Sequence, residues 1–526
     1  MALHFPSRLK LQPLVRTLCM DLSPPHLNDN TADLDRLVRS LRRKGLAPLQ
    51  IPPMQISRWT RAIRLGDFKV RVHVGFTGAH WELLDVSPGC AGEPLLGFAV
   101  DLGTTQLSFT LLDLETGEAL EADSTPNPQV PFGEDILTRI LYAREPGNLS
   151  RLQGLLIEAF NETMRKMLHR RSFSASQVFG VAVGGNTTMS HLFLGLDPTN
   201  ICREPYIPAV NQFPFHHGEE LGLAVHPRAL IYIFPNVGSY FGGDLLAGII
   251  ASGLHRSEET ALLVDVGTNA EVVLGNRDWL IACAGAAGPA LEGGVIERGT
   301  MAGPGAIDRV RIDPDSWEVR YHVIGDRKPR GICGSGVIDL IAEMFNAGVL
   351  TIQGKINTTV DSSRVLLSGD VPQYVIAFGE ETEDGEDLTI SEIDVGIFLK
   401  SKAAMYTILT VITNKVGLAF EDLTRFYVAG AFGNTIDPAM AIRIGMLPDL
   451  PLDVYHGLSD TVGTGAAMLL LDRSLLAEVA EVCDRITYIE LNVNMELMNE
   501  FRGALFIPHT NPKLFPSVQI PERAYG

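Results

Sequence analysis

The sequence predicts an α/β protein made of two related lobes, each built on a mixed β-sheet, preceded by a linker and a small α+β domain. Three observations carry that expectation. A short motif occurs twice: Phe98-Ala-Val-Asp101-Leu-Gly103-Thr104-Thr105 returns in kind as Leu263-Val-Asp265-Val-Gly267-Thr268-Asn269. A second apolar segment follows each copy, at 107–112 and 272–274, and chain reversals at Glu115-Thr-Gly-Glu118 and Gly275-Asn276 lead into a third. Hairpins first, then strands alternating with helices, twice over, imply a mixed sheet in each lobe.

In chain order, residues 1–45 form the linker. Leu22-Ser-Pro24-Pro25-His-Leu27 is extended, and Asn30-Thr31 can cap a helix over 32–43 with Leu34, Leu37 and Leu41 on one face. Residues 46–94 form the small domain, where Lys69-Val-Arg-Val-His-Val74 alternates as a strand does. The first lobe spans 95–259. It has helices at 136–142 and 149–168, and a buried strand at 178–183 that ends in Gly184-Gly185-Asn186-Thr187-Thr188. A strand at 230–234 follows, and Gly242-Gly243-Asp244 opens a helix over 245–252. The second lobe spans 260–526. It carries a Gly-rich insertion at 283–390, whose acidic stretch 380–387 reads as a solvated loop. A long helix at 393–416 and a strand at 426–428 lead to Ala429-Gly430-Ala-Phe-Gly433-Asn434, and Gly463-Thr-Gly465 enters a helix ending at 471. The tail from 485 adds a strand, an amphipathic helix and a Pro-rich end.

Composition narrows the function classes. The 526 residues exceed one simple core, and 46% hydrophobic content is ample for ordinary cores. A formal charge of −19 without a long Lys/Arg cluster argues against nucleic acid and anionic membranes as partners. The six cysteines are far apart and form no CxxC pair, which argues against a disulfide scaffold or structural zinc and for free thiols in a reducing cytoplasm. No uninterrupted apolar run reaches about 18 residues, so no membrane span is expected.

The repeated motif carries the chemistry. A strand that delivers a carboxylate to its end, followed by glycine, brings backbone N–H groups up to an anion. Two such turns facing each other can grip one polyphosphate and its metal. Asp101 and Asp265 are the candidate catalytic and metal residues, because Mg²⁺ keeps several waters and takes one or two carboxylates. A lone Asp would only cap its turn; the matched second copy favours function. Gly103, Thr104 and Thr105, with Gly267, Thr268 and Asn269, would donate hydrogen bonds to phosphate oxygens. Asp244 can act as a base or water-orienting carboxylate, or as an ordinary helix-start residue. Glu271, two residues after Asn269 on the same strand face, can line the cleft or make a surface ion pair. Asn186 and Thr187 can contact nucleotide or the lobe hinge, and an Asn-capped helix start is the stronger reading. Gly334 and Ser335 open a helix in a Gly-rich turn that suits an anion and equally suits close packing. Gly430, Gly433 and Asn434 would let the backbone approach adenine and ribose.

Together these motifs resemble the acetate and sugar kinase, heat-shock chaperone and actin superfamily, in which two ribonuclease-H-like lobes close on ATP. The likeness is nearer to one branch, the ATP-dependent reductive activators of corrinoid-dependent enzymes. It lies in Val183-Gly-Gly-Asn186-Thr-Thr188-Met189, Phe241-Gly-Gly-Asp244, Ala287-Gly-Pro289-Ala-Leu-Glu292-Gly293, Gly331-Ile-Cys-Gly-Ser-Gly336 and Ala429-Gly-Ala-Phe-Gly-Asn434. The stretch from Leu22 to Leu37 is similar to that family's linker. The resemblance implies a cytoplasmic ATPase that binds an inactive Co(II) corrinoid protein and promotes its reduction to Co(I), with ATP and Mg²⁺ as cofactors, and it admits a homodimer. Members usually begin with a two-iron, two-sulfur ferredoxin-like domain. Only Cys19 and Cys90 fall in the first hundred residues here, and such distant thiols do not make a four-cysteine site. No iron–sulfur cluster is therefore expected in this chain, and a separate ferredoxin or other reductant would supply the electron. The rival expectations are a small-molecule kinase with Asp244 as base, and a nucleotide-gated scaffold without turnover.

Overall fold

The computed structural model describes residues 9–267, 270–285, 296–430, 433, 435–489 and 495–525, with backbone alone at 495–497. They fall into two compact units: Met1–Gly253 with Thr461–Arg485, and Leu254–Asp460 with Ile486–Gly526.

In the first unit, β1 (Val15–Asp21), α1 (Asp33–Arg43), β2 (Leu49–Gln50), α2 (Ile56–Leu65), β3 (Lys69–Phe76) and β4 (Trp81–Pro88) form a small domain with sheet order β1-β3-β4-β2. Val70, Val72, Val74 and Leu83 from the sheet share a core with Leu37, Leu41, Trp59 and Ile63 from the helices. α1 starts without a side-chain cap from Asn30 or Thr31. Asp29 organises this end instead, accepting the Thr31 N–H at 2.9 Å and the Arg36 guanidinium at 2.5 Å.

The structure corrects one expectation about the thiols: Cys19 and Cys90 form a disulfide, with a Cα–Cα distance of 5.4 Å. The sheet register explains why. Cys19 pairs with Arg71, and Val70 pairs with Pro88, so both cysteines lie beside the same stretch of β3 despite their distance in sequence. Cys202, Cys283, Cys333 and Cys483 are free.

The lobe that follows contains β5 (Leu96–Leu102), β6 (Gln106–Asp113), β7 (Ala119–Pro126), α3 (Ile136–Ala143), α4 (Asn148–Arg170), β8 (Val178–Gly185) and α5 (Thr187–Leu194). It continues with β9 (His216–His217), α6 (Gly218–Leu221), β10 (Leu230–Ile233) and α7 (Gly243–Ser252). Sheet order is β7-β6-β5-β8-β10-β9. β5 is antiparallel to β6 and parallel to β8, and its central place makes it apolar almost throughout.

The second unit opens with β11 (Ala261–Val266), β12 (Ala270–Gly275) and β13 (Leu280–Gly285). An insertion supplies β14 (Ala306–Ile312), β15 (Val319–Val323), β16 (Gly331–Ile332), α8 (Gly334–Asn346), β17 (Val365–Ser368), β18 (Val371–Ala377) and β19 (Leu388–Ser391). Then come α9 (Glu392–Lys415), β20 (Arg425–Gly430), α10 (Pro438–Arg443) and β21 (Tyr455–Gly457). The main sheet runs β21-β20-β11-β12-β13, continued by β22 (Ile486–Tyr488). β11 is antiparallel to β12 and parallel to β20, which repeats the plan around β5. The 380–387 stretch is an exposed loop apart from the buried Thr382, with Asp384 2.9 Å from Arg298.

Two helices show what packing selects. α9 is long and apolar enough to cross a bilayer by composition alone, yet 72% of its apolar window is buried in protein. Within it Lys402 is fully buried, and its Nζ donates to the carbonyls of Phe506 and Pro508 at 2.7 Å and of Gly445 at 3.4 Å. The helix Thr461–Leu471, which the sequence places in the second lobe, packs in the first unit. A Cβ at Gly465 would lie 2.2 Å from the Ala247 carbonyl oxygen, so glycine is what lets this helix sit on α7.

Candidate functional site

In the first unit the strand-end motif is built from behind. Asp101, half-buried, stands opposite Ser108 on β6 and Gly184 on β8. The chain then reverses through Gly103, where a Cβ would meet the Gln106 carbonyl oxygen at 2.4 Å. Three successive carbonyls of this turn are pinned on one side. Asn127 Nδ2 donates to Gly103 at 2.9 Å, Arg139 Nη2 to Thr104 at 2.6 Å, and the Asn127 backbone N–H to Thr105 at 2.8 Å. A trans peptide points its N–H opposite its C=O. The N–H groups of Thr104, Thr105 and Gln106 therefore face away from Asn127 and Arg139, as a row of donors of the kind that receives an anion.

Asn186 joins this turn, and Thr187 follows it at the start of α5. Asn186 donates through Nδ2 to Thr104 Oγ1 at 2.9 Å while its Oδ1 accepts the Met189 N–H at 2.9 Å. One side chain thus caps α5 and holds a threonine of the turn. Thr187 donates to the Gly238 carbonyl at 2.9 Å. Gly242 lies against this pair, since a Cβ there would fall 2.4 Å from Asn186 Cα. That contact brings in the start of α7 and Asp244, whose Oδ1 accepts the Leu245 N–H at 2.8 Å. The Asp244 side chain keeps a partial opening to solvent but is crowded by protein atoms. Crowding dominates over the backbone N–H groups that favour its charge, and pushes the carboxyl up to about 6.

The second unit presents its own version. Asp265, one residue before the end of β11, stands directly opposite Glu271 on β12 and beside Ala429 on β20. Two carboxylates facing across an antiparallel pair repel unless a cation or donors sit with them. Gly430 adopts φ +79°, and a Cβ there would lie 2.4 Å from Asp265 Oδ1 and 2.5 Å from the Val266 carbonyl. The glycine keeps the space that the Asp265 carboxylate occupies. Gly433 donates its N–H to the Gly430 carbonyl at 3.1 Å, and a Cβ on it would strike the Leu458 carbonyl. Past these strand ends a cavity of about 280 Å³ is lined by Val428, Gly433, Ile436, Pro438, Tyr455 and Gly457. Gly267 follows β11 directly, half-buried. Thr268, Asn269, Asn434 and the Ala287–Gly293 motif lie outside the described residues.

Gly334 and Ser335 stand apart from these clusters in their contacts. They open α8, where Ser335 Oγ donates to the Asp308 carbonyl at 3.2 Å. A Cβ at the neighbouring Gly336 would lie 2.4 Å from the Ile307 carbonyl, so helix-on-strand packing accounts for the glycine there.

The donors and glycines suit a magnesium nucleotide. Among the described residues no group of three or more His, Cys, Asp or Glu side chains gathers to hold a metal. Mg²⁺ bound through water, one or two carboxylates and phosphate oxygens asks for no such group. The sequence did not single out Asn127 or Arg139. Its one signal was an arginine on the face of α3 that also carries the buried Ile140 and Ala143.

Comparison with known proteins covers most of the chain. Family models described as the RACo linker region, the RACo middle region and the C-terminal domain of RACo, the ASKHA domain, match residues 7–92, 96–257 and 259–519. The chain is 30% identical over 509 residues to the corrinoid activation enzyme RamQ of Eubacterium limosum, covering 94% of this chain and 83% of the relative. It is 26% identical to a [Co(II) methylated amine-specific corrinoid protein] reductase of Methanosarcina barkeri, covering 77% of this chain and 76% of that protein. A solved structure of a reductive activator for a corrinoid, iron-sulfur protein superposes with a TM-score of 0.90 at 36% identity, covering 98% of this chain and 82% of that one.

Proposed function

The chain belongs to the RACo family, and from that premise we propose that it is an ATP-hydrolysing activator that binds an inactive Co(II) corrinoid protein and promotes its reduction to Co(I). The observation that carries this proposal is likeness along nearly the whole chain to proteins named for corrinoid activation. Cytoplasmic location and an external electron donor, such as a separate ferredoxin, belong to the same proposal.

MgATP, when bound, supplies the free energy of phosphoanhydride hydrolysis. Thr104 and Thr105 would donate N–H groups to its phosphate oxygens, and Gly267, Thr268 and Asn269 are assigned the same task. Asp101 and Asp265 are the residues that would hold the Mg²⁺, and Glu271 would add negative charge beside Asp265. Gly430, Gly433 and Asn434 would receive the nucleoside, and the cavity lined by Val428, Gly433 and Tyr455 would take part of it. Asn186 fixes the turn, Thr187 remains a candidate for nucleotide contact, and Gly334 and Ser335 are secondary phosphate candidates. Asp244, with a carboxyl near 6, is ionised at neutral pH and basic enough to orient a water and accept its proton. Reduction of Co(II) is uphill, and each ~59 mV of a one-electron potential is a tenfold change in equilibrium. A partner shifts state only through differential affinity, so binding must be state-selective: the activator would recognise the Co(II) protein, displace a cobalt ligand so that the potential rises, and be reset by ATP binding and hydrolysis.

The test is one mixture of protein, Co(II) corrinoid protein, reductant and MgATP, with the corrinoid spectrum followed with and without added ferredoxin. ATP-dependent formation of Co(I), with release of free phosphate, is the expected outcome. Co(I) formation that is indifferent to ATP in both conditions refutes the activator, and phosphate transfer to a metabolite would point to a kinase.

A further inference from the structure

Arg139 is fully buried, and among the described residues its hydrogen-bond partners are all uncharged. Nε donates to the Gly133 carbonyl at 2.8 Å, Nη2 to Thr104 at 2.6 Å, and Nη1 to Gln129 Oε1 at 3.4 Å and Met189 Sδ at 3.3 Å. The acid that acts on it through space is Asp135, which is already engaged in capping α3 through Thr138. Burial pulls the guanidinium down to about 10, which leaves it a cation at neutral pH. A buried cation with no carboxylate hydrogen-bonded to it is costly, and a hydrophobic residue could fill the same place on the apolar side of α3.

We infer that Arg139 is the positioning residue of the phosphate turn. Held against the Thr104 carbonyl, it fixes that peptide so that the Thr105 N–H faces the polyphosphate, and it supplies a buried positive charge that the bound anion answers. The inference rests on the nucleotide role proposed above. It differs from a purely structural cross-link between α3 and the turn, because it makes the loss specific to phosphate.

The experiment measures affinities of the full chain for MgATP, MgADP and adenosine by calorimetry, in wild type, Arg139→Met and Arg139→Lys, with a thermal melt of each. Loss of a charge-assisted hydrogen bond should weaken MgATP and MgADP roughly 10- to 100-fold in Arg139→Met. Adenosine affinity should stay within about threefold, because adenosine carries no phosphate. Arg139→Lys, which keeps the charge but not the planar fork, should fall between. Unchanged MgATP affinity in either folded variant, or a parallel loss of MgATP and adenosine, overturns the inference. If Arg139→Met does not fold, Arg139→Lys decides alone by the same two criteria. Wild-type protein that binds neither MgATP nor adenosine would instead refute the nucleotide assignment itself.

Discussion

Gly430→Ala is the sharpest probe of the second strand-end site. Gly430 has φ +79°, in the left-handed region. An L side chain there costs about 1–2 kcal/mol, which should lower the melting temperature of this unit by roughly 2–8 °C. The steric effect reaches further than the strain. A Cβ would stand 2.4 Å from Asp265 Oδ1, whereas real Cβ atoms essentially never approach closer than 3.0 Å. The carboxylate or the β20 backbone must therefore yield by roughly 0.6 Å or more, and a displacement on the order of 1 Å can cost about 100-fold in rate. Phosphate release in the presence of the corrinoid protein should fall roughly 10- to 100-fold in a variant that still melts cooperatively. A folded Gly430→Ala protein that hydrolyses ATP within about threefold of wild type would refute the link between this glycine, Asp265 and turnover.

Further outcomes follow from buried groups. The Asp244 carboxyl is raised from 3.8 to about 6, so its contribution to stability is full below the unfolded value and is lost as pH rises through the folded one. Asp244→Asn should therefore melt higher than wild type at about pH 8. It should also remove the acidic limb of the hydrolysis profile and slow turnover by roughly 10²- to 10⁴-fold; a wild-type profile flat across this range would contradict the assignment. Thiol titration of the denatured, unreduced chain should count only Cys202, Cys283, Cys333 and Cys483. Closing a sequence separation of 71 is worth about 4 kcal/mol in the chain-entropy model, so the Cys19→Ser, Cys90→Ser protein should melt lower than the oxidised parent. Lys402→Met would leave the carbonyls of Gly445, Phe506 and Pro508 without this donor, at a cost of about 1–3 kcal/mol, and should expose the chain near 503–510 to protease. An unchanged melt and cleavage pattern would show that the tail is held by other contacts.

The sequence by itself determined the doubled plan of hairpin, parallel strand and helix. Its signals are short-range: apolar runs that end at Asp101 and Asp265, glycines directly after them, and helices where the apolar period lengthens. Turn chemistry and periodicity depend on neighbours a few residues away, so they can be read without knowing the fold. Tertiary structure alone decided that Cys19 meets Cys90 across β3, that 461–485 packs in the first unit, and that Arg139 and Lys402 lie buried on backbone carbonyls. Each of these depends on segments tens to hundreds of residues apart meeting in space. Whether a charge is buried, or a thiol finds another, is set by sheet order and helix docking, which leave no spacing pattern in the chain.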